Sequence, residues 1–110
     1  MGKAVPVVLT RWRVKKVKSR QKAVDGRAFA YGYIEREDAG RVSHAIKTYD
    51  PATGLIMTGL QSFVLEGEPG SSRDAEHAWL KFVSANAVTD EQEVTARYLP
   101  KPGSKNGRAS

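Results

Sequence analysis

The first third of the chain alternates between apolar and polar residues, a pattern typical of strands that bury one face. The alternation begins in residues 6–18 (PVVLTRWRVKKVK), where one phase is mostly apolar and the other carries basic side chains. At Lys15 and Lys16 the phase slips, and Val17 falls in line with the basic residues. Because one extra residue in a strand moves the following side chains to the other face, we expect a β-bulge at this lysine pair.

Three further segments have the composition of strands, and short turns connect them. The alternation resumes in residues 27–36 (RAFAYGYIER) and 41–49 (RVSHAIKTY), and residues 55–65 (LIMTGLQSFVL) form a fourth candidate. Residues 50–54 (DPATG) combine a proline that presets φ with a glycine that tolerates a positive φ, which favours a tight turn. Four strands joined by short turns predict an antiparallel meander.

Helical spacing replaces the strand pattern after residue 70. Ser71 followed by Asp74 resembles a capping box that opens a helix. The apolar stripe of that helix ends near residue 85 and comprises Ala75, Ala78, Trp79, Phe82 and Val83. We expect residues 86–92 to form a loop and residues 93–99 (EVTARYL) to form a last strand.

The predicted order is therefore ββββαβ, an α+β fold with a four-stranded antiparallel meander, one helix and a final strand. A strongly twisted sheet of this kind could curl into a partly open small barrel. We assign residues 1–99 to a single globular domain. Residues 100–110 (PKPGSKNGRAS) have no apolar surface to bury, and we expect them to be a disordered basic tail.

The composition narrows the class of protein. A 40% content of hydrophobic residues in 110 positions supports one small core, and no apolar run approaches the length of a membrane span. The chain has no cysteine, which excludes disulfides, a thiolate zinc site and a thiol nucleophile. We therefore expect a cytoplasmic protein that does not enter a membrane.

The net charge of +6 is distributed unevenly along the chain. Residues 1–24 contain eight basic side chains and no acidic one, whereas residues 25–99 contain seven basic and twelve acidic side chains. Such asymmetry favours an acidic partner, either nucleic acid or an acidic protein surface. A second interpretation is that lysine and arginine on an edge strand only block aberrant strand pairing and keep the protein soluble.

The sequence contains no recognisable catalytic set. His44 lies in an apolar phase of its strand, and His77 lies on the polar side of the helix, so both have ordinary structural explanations. Neither is part of a nucleophile motif, and no histidine spacing prepares a metal site. We expect a protein that is not an enzyme and uses neither a metal nor a cofactor.

The strongest candidate for a function is a basic strand beside a strand that carries three aromatic residues. Single-stranded nucleic acid is held by cations along its phosphates and by aromatic rings on which bases stack. The candidate binding residues are Arg11, Arg13, Lys15, Lys16, Lys18, Arg20, Phe29, Tyr31 and Tyr33. The alternative for the three aromatics is that they form the core face of their strand, because so small a domain has few other large residues.

Two functional hypotheses follow from these observations. The first is a small non-enzymatic binding module that binds nucleic acid through its basic N-terminal strand. The second is a protein interaction or inhibitor module that forms a homodimer or caps an acidic partner, since a free sheet edge can recruit another chain.

Overall fold

The computed structural model describes residues 5–99, and the expected tail, residues 100–110, lies outside them. These residues form an α+β fold with one α-helix, as the sequence predicts, and with seven strands. The elements in chain order are β1 (Val7–Ser19), β2 (Ala28–Ile34), β3 (Ala39–Val42), β4 (Ile46–Asp50), β5 (Leu55–Thr58), β6 (Ser62–Glu66), α1 (Arg73–Ala85), β7 (Val88–Glu93) and a short 3-10 helix (Thr95–Tyr98).

The meander prediction is wrong. All seven strands belong to one open sheet in the spatial order β3-β2-β1-β6-β5-β4, and β7 pairs with β1 on the same side as β6. β1 and β6 are parallel, with Val8 opposite Val64, whereas the other pairings are antiparallel. The third and fourth predicted strands are each divided, because residues 43–45 and 59–61 leave the ladder. The halves of the third pair with different strands, β3 with β2 and β4 with β5, whereas the halves of the fourth, β5 and β6, pair with each other.

The sheet has to bend, because its two outermost strands are consecutive in the chain. Six strands side by side in a flat sheet would separate the outer ones by about 24 Å, at about 4.8 Å per step. Residues 43–45 are the whole connection from β3 to β4, and a link of that length spans at most about 14 Å. The sheet therefore curves until β3 and β4 approach each other, although no strand pairing joins them within residues 5–99.

β1 contains a bulge, and it lies earlier than the sequence predicts. The register of β1 with β2 shifts between Thr10 and Arg13, and Arg11 has a positive φ of 47°. Gly32 of β2 lies against this bulge, where an added Cβ would be 2.8 Å from the carbonyl oxygen of Thr10. The missing side chain at Gly32 thus allows the two backbones to approach where the strand changes face.

The slip at Lys15 and Lys16 has a different cause. Val14 and Val17 are both buried, but they belong to two separate apolar clusters on opposite faces of β1. A strand that buries both faces has apolar residues in both phases. The sequence pattern at Lys15 and Lys16 therefore looks like a bulge, although the pairing there is regular.

The two clusters define an inner and an outer core. The inner core lies on the concave face of the bent sheet and contains Leu9, Trp12, Val14, Ala30, Ile34, Ile56, Phe63, Leu65 and Val94. The outer core lies between the sheet and α1 and contains Val17, Val24, Phe29, Tyr31, Ala75 and Trp79. β1 and β2 contribute to both cores, so these two strands form the centre of the fold.

The helix prediction is confirmed, with a cap one position later than expected. The hydroxyl of Ser72, not Ser71, accepts a hydrogen bond from the backbone N–H of Ala75 at 3.1 Å. Trp79 is 2% exposed, and its ring stacks on Tyr31 with a centroid distance of 4.7 Å. The first turn of α1 lies so close to β3 that a Cβ at Gly40 would overlap the backbone of Asp74.

The C-terminal prediction is wrong. The expected loop contains β7, and most of the expected last strand is the 3-10 helix Thr95–Tyr98. β7 (VTDEQE) has no apolar phase, so no row of alternate side chains is buried. Pairing with β1 holds it in the sheet. After β7, the N–H of Val94 donates a hydrogen bond to the carbonyl oxygen of Val14. The N–H of Val14 in turn donates to the hydroxyl of Thr95 at 3.0 Å.

We predict that Trp79→Ala lowers the free energy of unfolding by about 3–5 kcal/mol, because the truncation leaves a cavity in the outer core. Leu80→Ala is the matched control on the same helix. Leu80 is 64% exposed, so its truncation should change the free energy by less than about 0.5 kcal/mol. Urea denaturation of both variants measures the difference, and equal losses would contradict the packing described here.

Gly40→Ala should destabilise the protein by about 1–3 kcal/mol, because the new methyl group requires α1 to move away from β3. Gly59→Ala is the control, since the nearest atom to its added Cβ is the mobile Nζ of Lys47 at 3.4 Å. Thermal unfolding monitored by circular dichroism compares the two variants. A Gly40→Ala protein as stable as the control would show that the helix does not approach the strand this closely.

Candidate functional site

The middle of the predicted basic row is occupied by contacts within the protein. The ammonium group of Lys15 lies 3.1 Å from a carboxylate oxygen of Glu91 in β7, and its side chain is only 16% exposed. The same ammonium group lies 5.7 Å from the ring centroid of Tyr31 and 5.6 Å from that of Trp79. The indole N–H of Trp79 donates to the same oxygen of Glu91 at 2.9 Å. Lys15 therefore joins β7 to the outer core.

Arg13 is paired as well. Its guanidinium lies 3.6 Å from Glu76 of α1 and 4.0 Å from Glu93 of β7. The hydroxyl of Tyr31 donates to Glu76 at 3.4 Å, which places the helix carboxylate between the two β-strand residues. These side chains are about 40% exposed, so the pairing fixes geometry more than it adds stability.

The Lys15–Glu91 pair shifts the pKa of both groups. Burial raises the pKa of Glu91, but the hydrogen bonds from Trp79 and Lys15 and the charge of Lys15 outweigh it, so the pKa lies below its usual value. Burial lowers the pKa of Lys15, but the hydrogen bond with Glu91 and the neighbouring charges outweigh it, so the net shift is upward. Both groups are therefore charged at neutral pH.

Arg11 is separated from the rest of the row by the bulge. Its guanidinium carbon lies 5.0 Å from the ring centroid of Tyr33, within the range of a cation–π contact. The hydroxyl of Tyr33 in turn donates to the carboxylate of Asp38 in the β2–β3 turn. The exposed Arg11 and the half-buried Tyr33 thus form a small pair near the N-terminus of α1.

The other end of β1 carries exposed basic side chains, which we call the basic tip. The tip consists of the end of β1 and the loop to β2, and its members are Lys16, Lys18, Arg20, Lys22 and Arg27. All five are exposed, and none of the ion pairs found within residues 5–99 includes them. The carboxylate of Asp25, the acidic residue of this loop, accepts a hydrogen bond from the N–H of Ser19 at 2.9 Å.

The aromatic residues of β2 are divided between the core and the surface. Phe29 is 4% exposed and Tyr31 is 1% exposed, and both lie under α1. Their rings have no free face on which a base could stack in this conformation. Tyr33 is half-buried and lies at the opposite end of β1 from the basic tip. The structure therefore does not bring the nine candidate residues onto one surface.

Sequence reasoning missed the acidic strand that pairs with β1. Lys15 lies opposite Glu93, and Lys18 lies opposite Asp90. The signal was present as a cluster of carboxylates after the helix, but its polar pattern is that of a loop, and so the pairing could not be inferred from periodicity.

Within residues 5–99, no group of three or more histidine, aspartate or glutamate side chains could hold a metal ion.

In the same part of the chain, no helix is both long and apolar enough to cross a membrane. No family model, curated protein or solved structure matches the chain.

The pKa shift of Glu91 predicts acid sensitivity. A carboxyl whose pKa is lower in the folded state contributes stability that is present above its unfolded pKa and is lost as the pH falls through the folded pKa. The contribution should therefore disappear below the ordinary value of about 4.5. We expect Glu91→Gln to be less stable than the native sequence at pH 7 and to lose less stability between pH 5 and pH 3.

Glu68→Gln is the control for this measurement, because Glu68 is exposed and takes part in none of the described ion pairs. Urea denaturation of the three proteins at several pH values gives the dependence. The same pH slope for Glu91→Gln and the native protein would show that the pair with Lys15 does not form in solution.

Proposed function

We propose that the protein is a non-enzymatic binding module that holds nucleic acid through the basic tip. The observation that carries this proposal is the division of the basic row into paired and unpaired parts. Arg13 and Lys15 are neutralised by carboxylates of α1 and β7, whereas the five side chains of the tip have no ion-pair partner within the described chain. Like charges in an exposed cluster repel one another. Solubility or an anionic ligand would explain why the cluster is kept.

The geometry of the tip fits a polyanion. Lys16 and Lys18 lie on one face of β1, and side chains two positions apart in a strand are separated by about 7 Å. Arg20 continues the row beyond the end of the strand, and Lys22 and Arg27 flank it in the loop. Several cations in a row can contact successive phosphates and release the counterions condensed there, which supplies affinity without reading sequence.

Direct base recognition is not part of this proposal. Phe29 and Tyr31 are buried, and Tyr33 lies at the far end of β1. We therefore infer binding through the phosphate backbone, with little preference among sequences. A cytoplasmic location and a homodimer remain predictions from the sequence and have no bearing on the binding site.

The test is a binding measurement with single-stranded and double-stranded DNA and RNA of mixed sequence at about 50 and 200 mM salt. The triple variant Lys16→Ala, Lys18→Ala, Arg20→Ala should weaken binding to all of them and reduce the slope of log affinity against log salt by roughly two to three units. The fold should survive, because these side chains are exposed. Fluorescence anisotropy with labelled oligonucleotides measures both quantities.

The control variant removes the same charge elsewhere, through Lys47→Ala, Arg73→Ala and Lys81→Ala, all exposed residues. It should retain most of the affinity and the salt slope. Equal effects of the two triple variants would show that net charge matters and the tip does not. Binding that is undetectable at low salt for every nucleic acid would contradict the proposal and favour an acidic protein surface as the partner.

A further inference from the structure

A cavity of about 460 Å³ opens at the end of the bent sheet that lies away from the basic tip. The start of β1, the end of β2 and the residues before β6 surround it. Val7, Val8 and Ile34 supply apolar surface, and the side chains of Arg41 and Gln61 supply polar groups. Its volume lies within the range of small-molecule sites.

Arg41 is the unusual residue of this cavity. It pairs with Gly32 on the concave side of the sheet and is half-buried. One terminal nitrogen of its guanidinium donates to the side-chain oxygen of Gln61 at 2.9 Å, and the group lies 5.7 Å from the ring centroid of Phe63 in the inner core. The guanidinium is thus held in place by a hydrogen bond and by an aromatic ring.

The charge of Arg41 has no counter-ion among the described residues. None of the ion pairs found within residues 5–99 includes it. A guanidinium has five N–H donors, so the bond to Gln61 leaves most of them available. A half-buried charge is normally paired, and the planar donors of arginine match the two oxygens of a carboxylate.

The rim of the cavity limits the charge of its ligand. Glu35, Glu37 and Glu66 line the rim and are exposed, and Arg36 is the other basic residue there. These carboxylates repel polyanions, which separates this cavity from the proposed nucleic-acid site. A ligand with one negative charge and an apolar body meets both the guanidinium and the apolar wall.

We infer that the cavity binds a small organic monocarboxylate, with its carboxylate on Arg41 and its apolar body against Val7, Val8 and Ile34. The inference is independent of the proposed function, since it uses the opposite end of β1. It rests on two observations, a half-buried guanidinium that has no counter-ion among residues 5–99 and a cavity beside it with Val7, Val8 and Ile34 in its wall.

The inference is tested by titrating the isotope-labelled protein with octanoate and following the NMR signals of Arg41, Ile34 and Phe63. We expect saturable shifts with a dissociation constant of about 1 mM or lower. Octanamide keeps the apolar body without the charge and should bind at least about tenfold more weakly. Inorganic phosphate should not reproduce the shifts at Ile34, because it has no apolar part.

Arg41→Gln should weaken octanoate binding by about tenfold or more, whereas Arg36→Gln, which removes a charge from the same rim, should change it by less than about threefold. Arg41→Lys retains the charge and should bind more tightly than Arg41→Gln, which separates loss of the site from loss of the fold. Equal binding of octanoate and octanamide, no saturable shift, or unchanged binding by Arg41→Gln would each overturn the inference.

Discussion

The structure depends on β1, a strand that pairs along both edges and buries side chains on both faces. β2 covers one edge, while β6 and β7 share the other, so the strand is central along most of its length. The bulge at Arg11 lets Leu9 and Trp12 face the inner core together. Beyond it, Val14 faces the inner core and Val17 faces the helix. Without this change of face, one of the two cores would lose its centre.

A central strand that carries many cations needs acidic neighbours, and the fold supplies them where the strand is enclosed. β7 places Glu91 on Lys15 and Glu93 near Arg13, and α1 adds Glu76. The charge asymmetry of the sequence is thus partly internal, because the basic segment and an acidic segment form adjacent strands. The remaining positive charge lies at the C-terminal end of β1 and in the loop to β2, where the basic side chains take part in no ion pair found within residues 5–99. For this reason we propose the basic tip as the binding surface.

The sequence predicted elements better than it predicted their arrangement. The helix, its cap region and the burial of Trp79 follow from local spacing, which a single segment determines. The parallel pairing of β1 with β6 depends on contacts far apart in the chain, so no local pattern indicates it. β7 escaped detection because pairing with β1 holds it in the sheet, and its side chains show no apolar periodicity. The division of the candidate site could not be predicted either, because the burial of Phe29 and Tyr31 depends on where the helix packs.

The central claim is that the cations of β1 fall into an internal set and a free set. Its most direct test is an NMR titration of the isotope-labelled protein with a mixed-sequence single-stranded oligonucleotide at low salt. The account predicts saturable shifts that are concentrated in residues 16–27, with the side-chain signals of Arg13 and Lys15 unchanged. Shifts concentrated at Arg13 and Lys15, with the tip unaffected, would contradict it.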